Sequence, residues 1–416
     1  MNTINSKPFQ ISKQTVVEAW KLVKANAGSA GVDEESINDF EANLKGNLYK
    51  LWNRMSSGSY MPPPVKGVAI PKKNGGQRML GIPCVADRVA QAVVKLAFEP
   101  MVEKIFLPDS YGYRPNKSAH DAIRVTRRRC WEYDWVLEFD IKGLFDNIRH
   151  DLLLKAVRHH TQCKWILLYI ERWLKVPMVM PDGTLKHRDK GTPQGGVVSP
   201  VLSNLFLHYV FDKWMDTHHK ANPWCRYADD GLVHCKTYSE AQTLLDLLSK
   251  RFKDCGLEIH PEKTNIVYCR DSKRQEKYPI KEFTFLGYTF CSRTAMNQYT
   301  KEIFNSFLPA VSKKALQAMR KEIKCAWKLH LRSDLSLEQL AEKFNPVIRG
   351  WIYYYGMAYK TELRGLANYI NMRLVKWARR KYISLKFHKQ RAYDWLARVY
   401  NANPPLFEHW KLFKVC

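Results

Sequence analysis

Arg226-Tyr227-Ala228-Asp229-Asp230 sets two adjacent carboxylates between the apolar runs Trp224 to Tyr227 and Leu232 to Cys235. Successive side chains of a strand point to opposite faces, so Asp229 and Asp230 can approach one point only beside a turn. Asp230-Gly231 is a hairpin-turn signal, and the bend is expected there. Upstream, the apolar run Trp135 to Ile141 carries a third carboxylate, in Phe139-Asp140-Ile141-Lys142-Gly143-Leu144-Phe145-Asp146. Between the two lies Gly191-Thr192-Pro193-Gln194-Gly195-Gly196-Val197-Val198-Ser199-Pro200, a glycine-rich loop leading into a helix. Taken singly, Asp-Asp-Gly is most often a surface turn, a strand-end Asp a cap, and Pro-Gln-Gly-Gly a loop. Together and in this order, they describe three carboxylates on two strands with a loop alongside.

At 416 residues the chain has room for two or three domains. Its 67 Lys and Arg against 40 Asp and Glu leave a net charge of +27, which points to a polyanionic partner and above all nucleic acid. The excess is uneven. Residues 311–390 carry 18 Lys or Arg against 5 Asp or Glu, nearly half of the imbalance. Aromatics interleave with those charges (Trp327, Phe344, Trp351, Tyr353, Tyr354, Tyr355, Tyr359 and Trp377), unlike an ordinary solvated face. The ten cysteines form no Cys-x-x-Cys pair, which argues against a zinc ribbon and for a reducing compartment. No apolar run is long enough to span a bilayer, and Met1 to Gln14 lacks a secretory core. A cytoplasmic protein without membrane partners is the expectation.

Along the chain, helical spacing predicts helices over Thr15–Ala27, Asp33–Tyr49, Asp87–Glu103, Ser118–Trp131, Pro200–Trp214 and Ser239–Cys255. Val65 to Pro71 and Gln77 to Ile82 read as a hairpin around Lys72-Lys73-Asn74-Gly75-Gly76, and further strands are expected around Leu257 to Val267 and Phe283 to Phe290. This alternation describes an α+β domain, helices against an antiparallel sheet. After about residue 300 strand signals end, and helices are expected at Pro309–Leu329, Leu337–Tyr355 and Leu363–Lys381.

The chain resembles the group II intron-encoded reverse transcriptases, or maturases, over about Ala27 to Trp410. The Asp140 strand, the Pro-Gln-Gly loop and the Tyr-x-Asp-Asp hairpin resemble a reverse transcriptase palm. Gly81-Ile82-Pro83, Ser110-Tyr111-Gly112-Tyr113-Arg114-Pro115, Gly191 to Gly196 and Gly350-Trp351-Ile352-Tyr353-Tyr354-Tyr355 narrow the resemblance to this family. It implies a right-hand polymerase of four parts. These are an N-terminal extension over 1–60, fingers and palm over 61–295, a helical thumb or maturase X domain over 300–390, and a short tail over 391–416.

The resemblance also implies the chemistry. Nucleotide addition is an in-line displacement at phosphorus, served by two divalent metals about 3.5–4 Å apart. Mg²⁺, with Mn²⁺ as substitute, takes hard oxygen ligands and few carboxylates. Asp140 and Asp229 would bridge the ions and Asp230 complete the site, with Ile141 contributing through its backbone to metal and triphosphate. Lys72 and Arg78 in the fingers hairpin would contact the triphosphate, and Gln194 the sugar or base. The Phe145 ring would exclude a 2′-hydroxyl and so select deoxynucleotides. Lys263 matches a lysine near the pyrophosphate, with a merely solvated lysine as the alternative. Arg114 would order the fingers or the template strand, and Phe285-Leu286-Gly287-Tyr288 would form the primer grip. Implied partners are group II intron RNA, an RNA template, a DNA primer or target, and deoxynucleoside triphosphates. The 416 residues include no paired-cysteine nuclease segment, so mobility would draw its primer from elsewhere, such as a replication fork. A free-standing domesticated reverse transcriptase for defence or repair, and a non-catalytic RNA-binding splicing factor, stand as alternatives.

Overall fold

The strands follow the β-branched and aromatic runs. In the computed structural model, which describes residues 7–71, 76–297 and 299–415, they are β1 (Val65–Pro71), β2 (Gln77–Ile82), β3 (Trp135–Asp140), β4 (Met178–Val179), β5 (Leu185–Lys186), β6 (Trp224–Tyr227), β7 (Asp230–Cys235), β8 (Asn265–Tyr268), β9 (Glu282–Phe285), β10 (Tyr288–Met296) and β11 (Ile303–Val311). They make three sheets, ordered β2-β1-β4-β5, β6-β7-β3-β8 and β11-β10-β9. The pairs β1–β2, β4–β5, β6–β7, β9–β10 and β10–β11 are antiparallel, and β1 pairs with β4 in parallel. With the helices, they give the expected α+β class.

The chain divides into two compact units. The first holds Met1–Ser118, Glu138–Val233 and Ser239–Thr264, and the second Ala119–Leu137, His234–Tyr238 and Asn265–Cys416. In the first unit the helix Val85–Glu103 is buried on nearly every side of its first ten residues, through Val89, Ala90, Val93 and Val94 and also through Asp87, Arg88 and Gln91. Polar groups so placed need hydrogen-bond partners inside the core. The N-terminal helix Lys13–Asn26, capped by Ser12, packs against that helix through Val16, Ala19, Trp20 and Val23. The single helix expected over Asp33–Tyr49 is two, Ile37–Ala42 and Leu44–Ser56, parted at Asn43.

In the second unit, β11 overturns the expectation that strands end near residue 300. Nine residue pairs join it to β10, Pro309 facing Phe290 among them. The helix expected from Pro309 starts instead at Lys313, behind a Ser312 cap. The helix Leu337–Tyr355 begins where its sequence predicts, at a capping box between Ser336 and Gln339. A second correction concerns the aromatics of the basic stretch. Trp327, Phe344 and Trp377 are core residues, and Trp327 stacks on Phe344 at 4.4 Å and on Trp351 at 5.6 Å between centroids. The helix Lys389–Ala402 adds Ala392 and Leu396 to the same core, and the segment after it adds Phe407 and Trp410. Among the described residues no helix is long and apolar enough to cross a membrane, and the cysteines are unpaired.

Candidate active site

The Tyr227–Asp230 pair closes the β6–β7 hairpin, so its two-residue loop is Ala228-Asp229. The bend thus lies two residues before the expected Asp230-Gly231. Ala228 takes φ +56, the positive value that a type II′ turn requires at its first loop residue. Gly231 stays within the strand, opposite Arg226, for a different reason. A Cβ there would lie 2.1 Å from the Phe139 ring, which packs across it from β3. Asp229 therefore sits in the loop, Asp230 opens β7, and Asp140 ends the neighbouring β3.

Crowding by the protein, then the charge of Asp140, push the Asp229 carboxyl up, while Arg78 and Lys263 pull it down. Asp230 is pushed up to about 7 by the same crowding and then by Asp229, Asp140 and Glu138, although its outer face meets water. Lys263 Nζ donates to Asp140 Oδ2 at 2.7 Å, an ammonium where the carboxylates call for a cation. Asp140, Asp229, Asp230, Arg78 and Lys263 thus lie within electrostatic reach of one another. Tyr113 joins them: desolvation, followed by Asp229, raises its phenol.

The hairpin is braced from behind. Arg226 is fully buried and donates to both oxygens of buried Asp212 at 2.7 Å. Its other donors reach the Asn204 Oδ1 at 3.1 Å, the Ala228 carbonyl at 3.0 Å and the Ser110 hydroxyl at 2.8 Å. Burial pushes the Asp212 carboxyl up, and Arg226 opposes it. Asp212 ends a π-helical turn, His208–Asp212, the kind of local widening often found at functional sites. Gly112 packs against the same loop, where a Cβ would lie 2.3 Å from the Ala228 nitrogen.

The glycine-rich loop is fixed by backbone bonds. The Gly191 amide donates to the Ile148 carbonyl and the Thr192 amide to the Phe145 carbonyl, both at 2.7 Å. The Gly81 amide donates to the Gln194 carbonyl at 2.8 Å. The Gln194 side chain approaches Asp146 Oδ2 at 3.5 Å, which sets it beside the short helix Leu144–Asn147 that carries half-buried Phe145. Beneath, Gln91 accepts from the Val197 amide at 2.7 Å and donates to Asp87 at 2.9 Å. Buried Asp87 also accepts from the Tyr60 hydroxyl at 2.8 Å and the Trp173 indole at 2.7 Å. Ile141 is buried and pairs with Ile259, but the ladder bonds there belong to the Lys142 and His260 amides. Ile141's own N–H and C=O are therefore turned away from that partner segment.

Arg114 is turned inward. Its side chain is 5% exposed, and its donors go to Glu103 at 2.6 Å, the Leu107 carbonyl at 2.6 Å and the Ser110 carbonyl at 2.7 Å. These bonds order the Glu103–Ser110 segment, the first of the two roles that the resemblance implies. Lys72 lies outside the described residues. Phe285 to Tyr288 belong to the second unit, where Leu286 and Gly287 take φ +51 and +81 in the bend between β9 and β10. Phe285 and Tyr288 are buried there, Tyr288 donating to the Tyr354 carbonyl, and the Tyr354 hydroxyl donates to Leu286 at 2.9 Å. The sequence-based set omitted Tyr113, Glu138 and the buried groups Arg226, Asp212, Asp87 and Gln91. One signal was present: an arginine inside the apolar run Trp224 to Tyr227 needs a buried partner.

Among the described residues no group of three or more His, Cys, Asp or Glu side chains is placed to hold a metal ion. The donors present are hard carboxylate oxygens, those of Asp140 close enough to push the Asp229 and Asp230 carboxyls up. They fit Mg²⁺ held by one or two carboxylates and completed by phosphate and water.

Residues 70–290, more than half of the chain, match the family described as reverse transcriptase (RNA-dependent DNA polymerase), and the chain belongs to that family. Residues 316–395 match the group II intron, maturase-specific domain, so the two matches together are those of a group II intron reverse transcriptase and maturase. Protein YkfC of Escherichia coli (strain K12) is 30% identical over 315 residues, 66% of this chain and 79% of that protein. Group II intron-encoded protein LtrA of Lactococcus lactis subsp. cremoris is 32% identical over 201 residues, 47% of this chain and 33% of LtrA. The chain thus matches about a third of LtrA's length. A telomerase from Candida albicans, solved in complex with a fragment of telomeric RNA, aligns over 90% of this chain and 68% of its own at 12% identity and a TM-score of 0.46.

Arg226→Gln leaves Asp212 buried without its ion partner, and unfolding in urea should show a loss of about 3–5 kcal/mol. The Asp230 carboxyl rises from 3.8 to about 7 on folding, so the folded chain keeps a proton that the unfolded chain has lost. In EDTA, thermal stability should therefore fall as pH rises from about 4 through about 7. Asp230→Asn should flatten that fall, and Mg²⁺ should restore more stability at the alkaline end than at the acid end.

Proposed function

We propose that this chain is an RNA-directed DNA polymerase that also binds group II intron RNA to assist splicing and mobility. The observation that carries this is the carboxylate cluster. Asp140 raises the proton affinity of Asp229, and both raise that of Asp230, where the ends of β3 and β7 meet, with Arg78, Lys263 and the Gln194 loop around them. Asp140, Asp229 and the Ile141 backbone would hold a pair of divalent ions, with Asp230 beside them. When bound, those ions supply Lewis acidity to the primer hydroxyl and the departing pyrophosphate.

The chain's own residues do the rest. Arg78 and Lys72 bring cations to the triphosphate. Phe145 stands against the sugar and Gln194 beside it, on a loop pinned at Thr192 and Gly81. Lys263, which holds Asp140 at 2.7 Å, would turn to the pyrophosphate when metal takes its place. The Leu286-Gly287 bend carries the primer strand, and residues 300–390 form the RNA-gripping thumb. The 1–60 segment, whose Tyr60 bonds Asp87, belongs to intron binding. The alternative is a splicing factor that keeps this domain as scaffold. The Lys263–Asp140 ion pair favours it, since it occupies a carboxylate that catalysis needs.

Primer extension on an RNA template with Mg²⁺ separates the two. DNA product that Asp229→Ala abolishes, with RNA affinity nearly intact, is expected of the polymerase. Absence of product from a folded, RNA-binding wild type would favour the scaffold. Phe145→Ala should incorporate ribonucleotides that the wild type rejects, and unchanged discrimination in competition assays would remove Phe145 from the sugar site.

A further inference from the structure

The second unit contains a hollow of about 910 Å³ between the π-helical turn Ile323–Trp327, the Leu329–Leu331 turn, the helix Arg364–Lys381 and the segment that follows it. Lys324, Arg373, Lys376, Arg379, Arg380 and Lys386 line it, and among the described residues no carboxylate does. Arg373, Lys376 and Arg380 recur at helical spacing on one face and span two turns, about 10 Å, which is more than one phosphate needs. Two of these cations are held in place by the backbone. Arg380 donates to the His330 carbonyl at 3.2 Å, and Arg379 to the Lys386 carbonyl at 3.0 Å. Arg373 lies 3.4 Å from His330 Nδ1, and its Nε is buried with no hydrogen-bond partner among the described residues. Desolvation and then the charges of Arg373 and Arg380 hold the His330 imidazole below its usual range, as expected in an uncompensated positive field.

The rim is the unusual part. Ile383 is 91% exposed and Phe387 79% exposed, on the segment that Arg379 pins through Lys386. The Lys386 ammonium lies 5.2 Å from the Phe387 ring, so the ring is a preset aromatic face beside cations. Cations alone fit any phosphate backbone. An exposed ring beside them fits a base that is not already stacked, and a continuous duplex offers none.

We infer that this hollow binds an RNA segment at an unpaired nucleotide, with Phe387 stacking on the base and Arg373, Lys376 and Arg380 holding the flanking phosphates. The inference rests on RNA as the partner proposed above and adds which RNA structure this face selects.

The test uses the full chain and two labelled RNA probes, a blunt duplex and the same duplex with an unpaired bulge, read by fluorescence anisotropy. The wild type should prefer the bulged probe. Phe387→Ala should weaken the bulged probe by roughly 5- to 150-fold, the worth of one stacked base, and leave the blunt probe unchanged. Lys376→Gln with Arg380→Gln should weaken both probes and lower the salt slope by about one unit per charge removed. A bulge preference that survives Phe387→Ala, or an equal loss on both probes, overturns the inference. Wild-type primer extension measured alongside reports separately on the polymerase, so failure of one is not failure of the other. Phe387 is exposed, and an unchanged melting temperature of the variant excludes misfolding.

Discussion

The buried ion pair of Arg226 and Asp212 is the constraint on which the candidate site depends. Two charges removed from water are tolerated only when nearly every donor and lone pair is satisfied, and here the guanidinium reaches a carboxylate, an amide, a hydroxyl and a main-chain carbonyl. That carbonyl belongs to Ala228, in the left-handed conformation just before Asp229. The strain of that conformation is held by groups fixed in the helical layer behind the sheet. Asp229 is therefore presented by a rigid support, although it stands in a loop.

A second buried carboxylate does comparable work for the glycine-rich loop. Asp87 gathers Tyr60, Trp173 and Gln91, and Gln91 receives the Val197 amide. The N-terminal segment is thereby linked to the loop carrying Gln194 through two side chains. In front of these supports the charge balance reverses. The acidic cluster is left under-neutralised, with Lys263 and Arg78 as its nearby cations, and its own repulsion supplies affinity for incoming positive charge.

Much of this was legible because local chemistry and global fold agree. The three carboxylates, the loop, the β1–β2 hairpin and the helix Leu337–Tyr355 each carry signals within a few residues. The features that were missed depend on contacts distant in sequence. Gly231 marked a turn that lies at Ala228-Asp229, because its lack of a side chain answers to Phe139 on another strand. β11 was hidden by Pro309 and by the polar pair Asn305-Ser306 at its middle, though its pairing with β10 is continuous. Arg114 was expected to order the fingers or the template strand, but its partner Glu103, on a preceding helix, could not be named from the sequence. The aromatics of the basic stretch were counted toward a surface, yet Trp327, Phe344 and Trp377 are the core that lets lysines and arginines occupy the outside.

The contact between Gly231 and Phe139 has an evolutionary consequence. The ring fills the space that any side chain at 231 would need, so the two positions can drift only together. A single-base path through alanine or serine at 231 meets a ring at 2.1 Å, and a smaller residue at 139 alone opens a void beside Phe211 and Phe252, which pack on that ring. Lineages that keep one are held to the other whatever becomes of the activity, so this pair would outlast the carboxylates in a descendant that retained the fold and lost the chemistry.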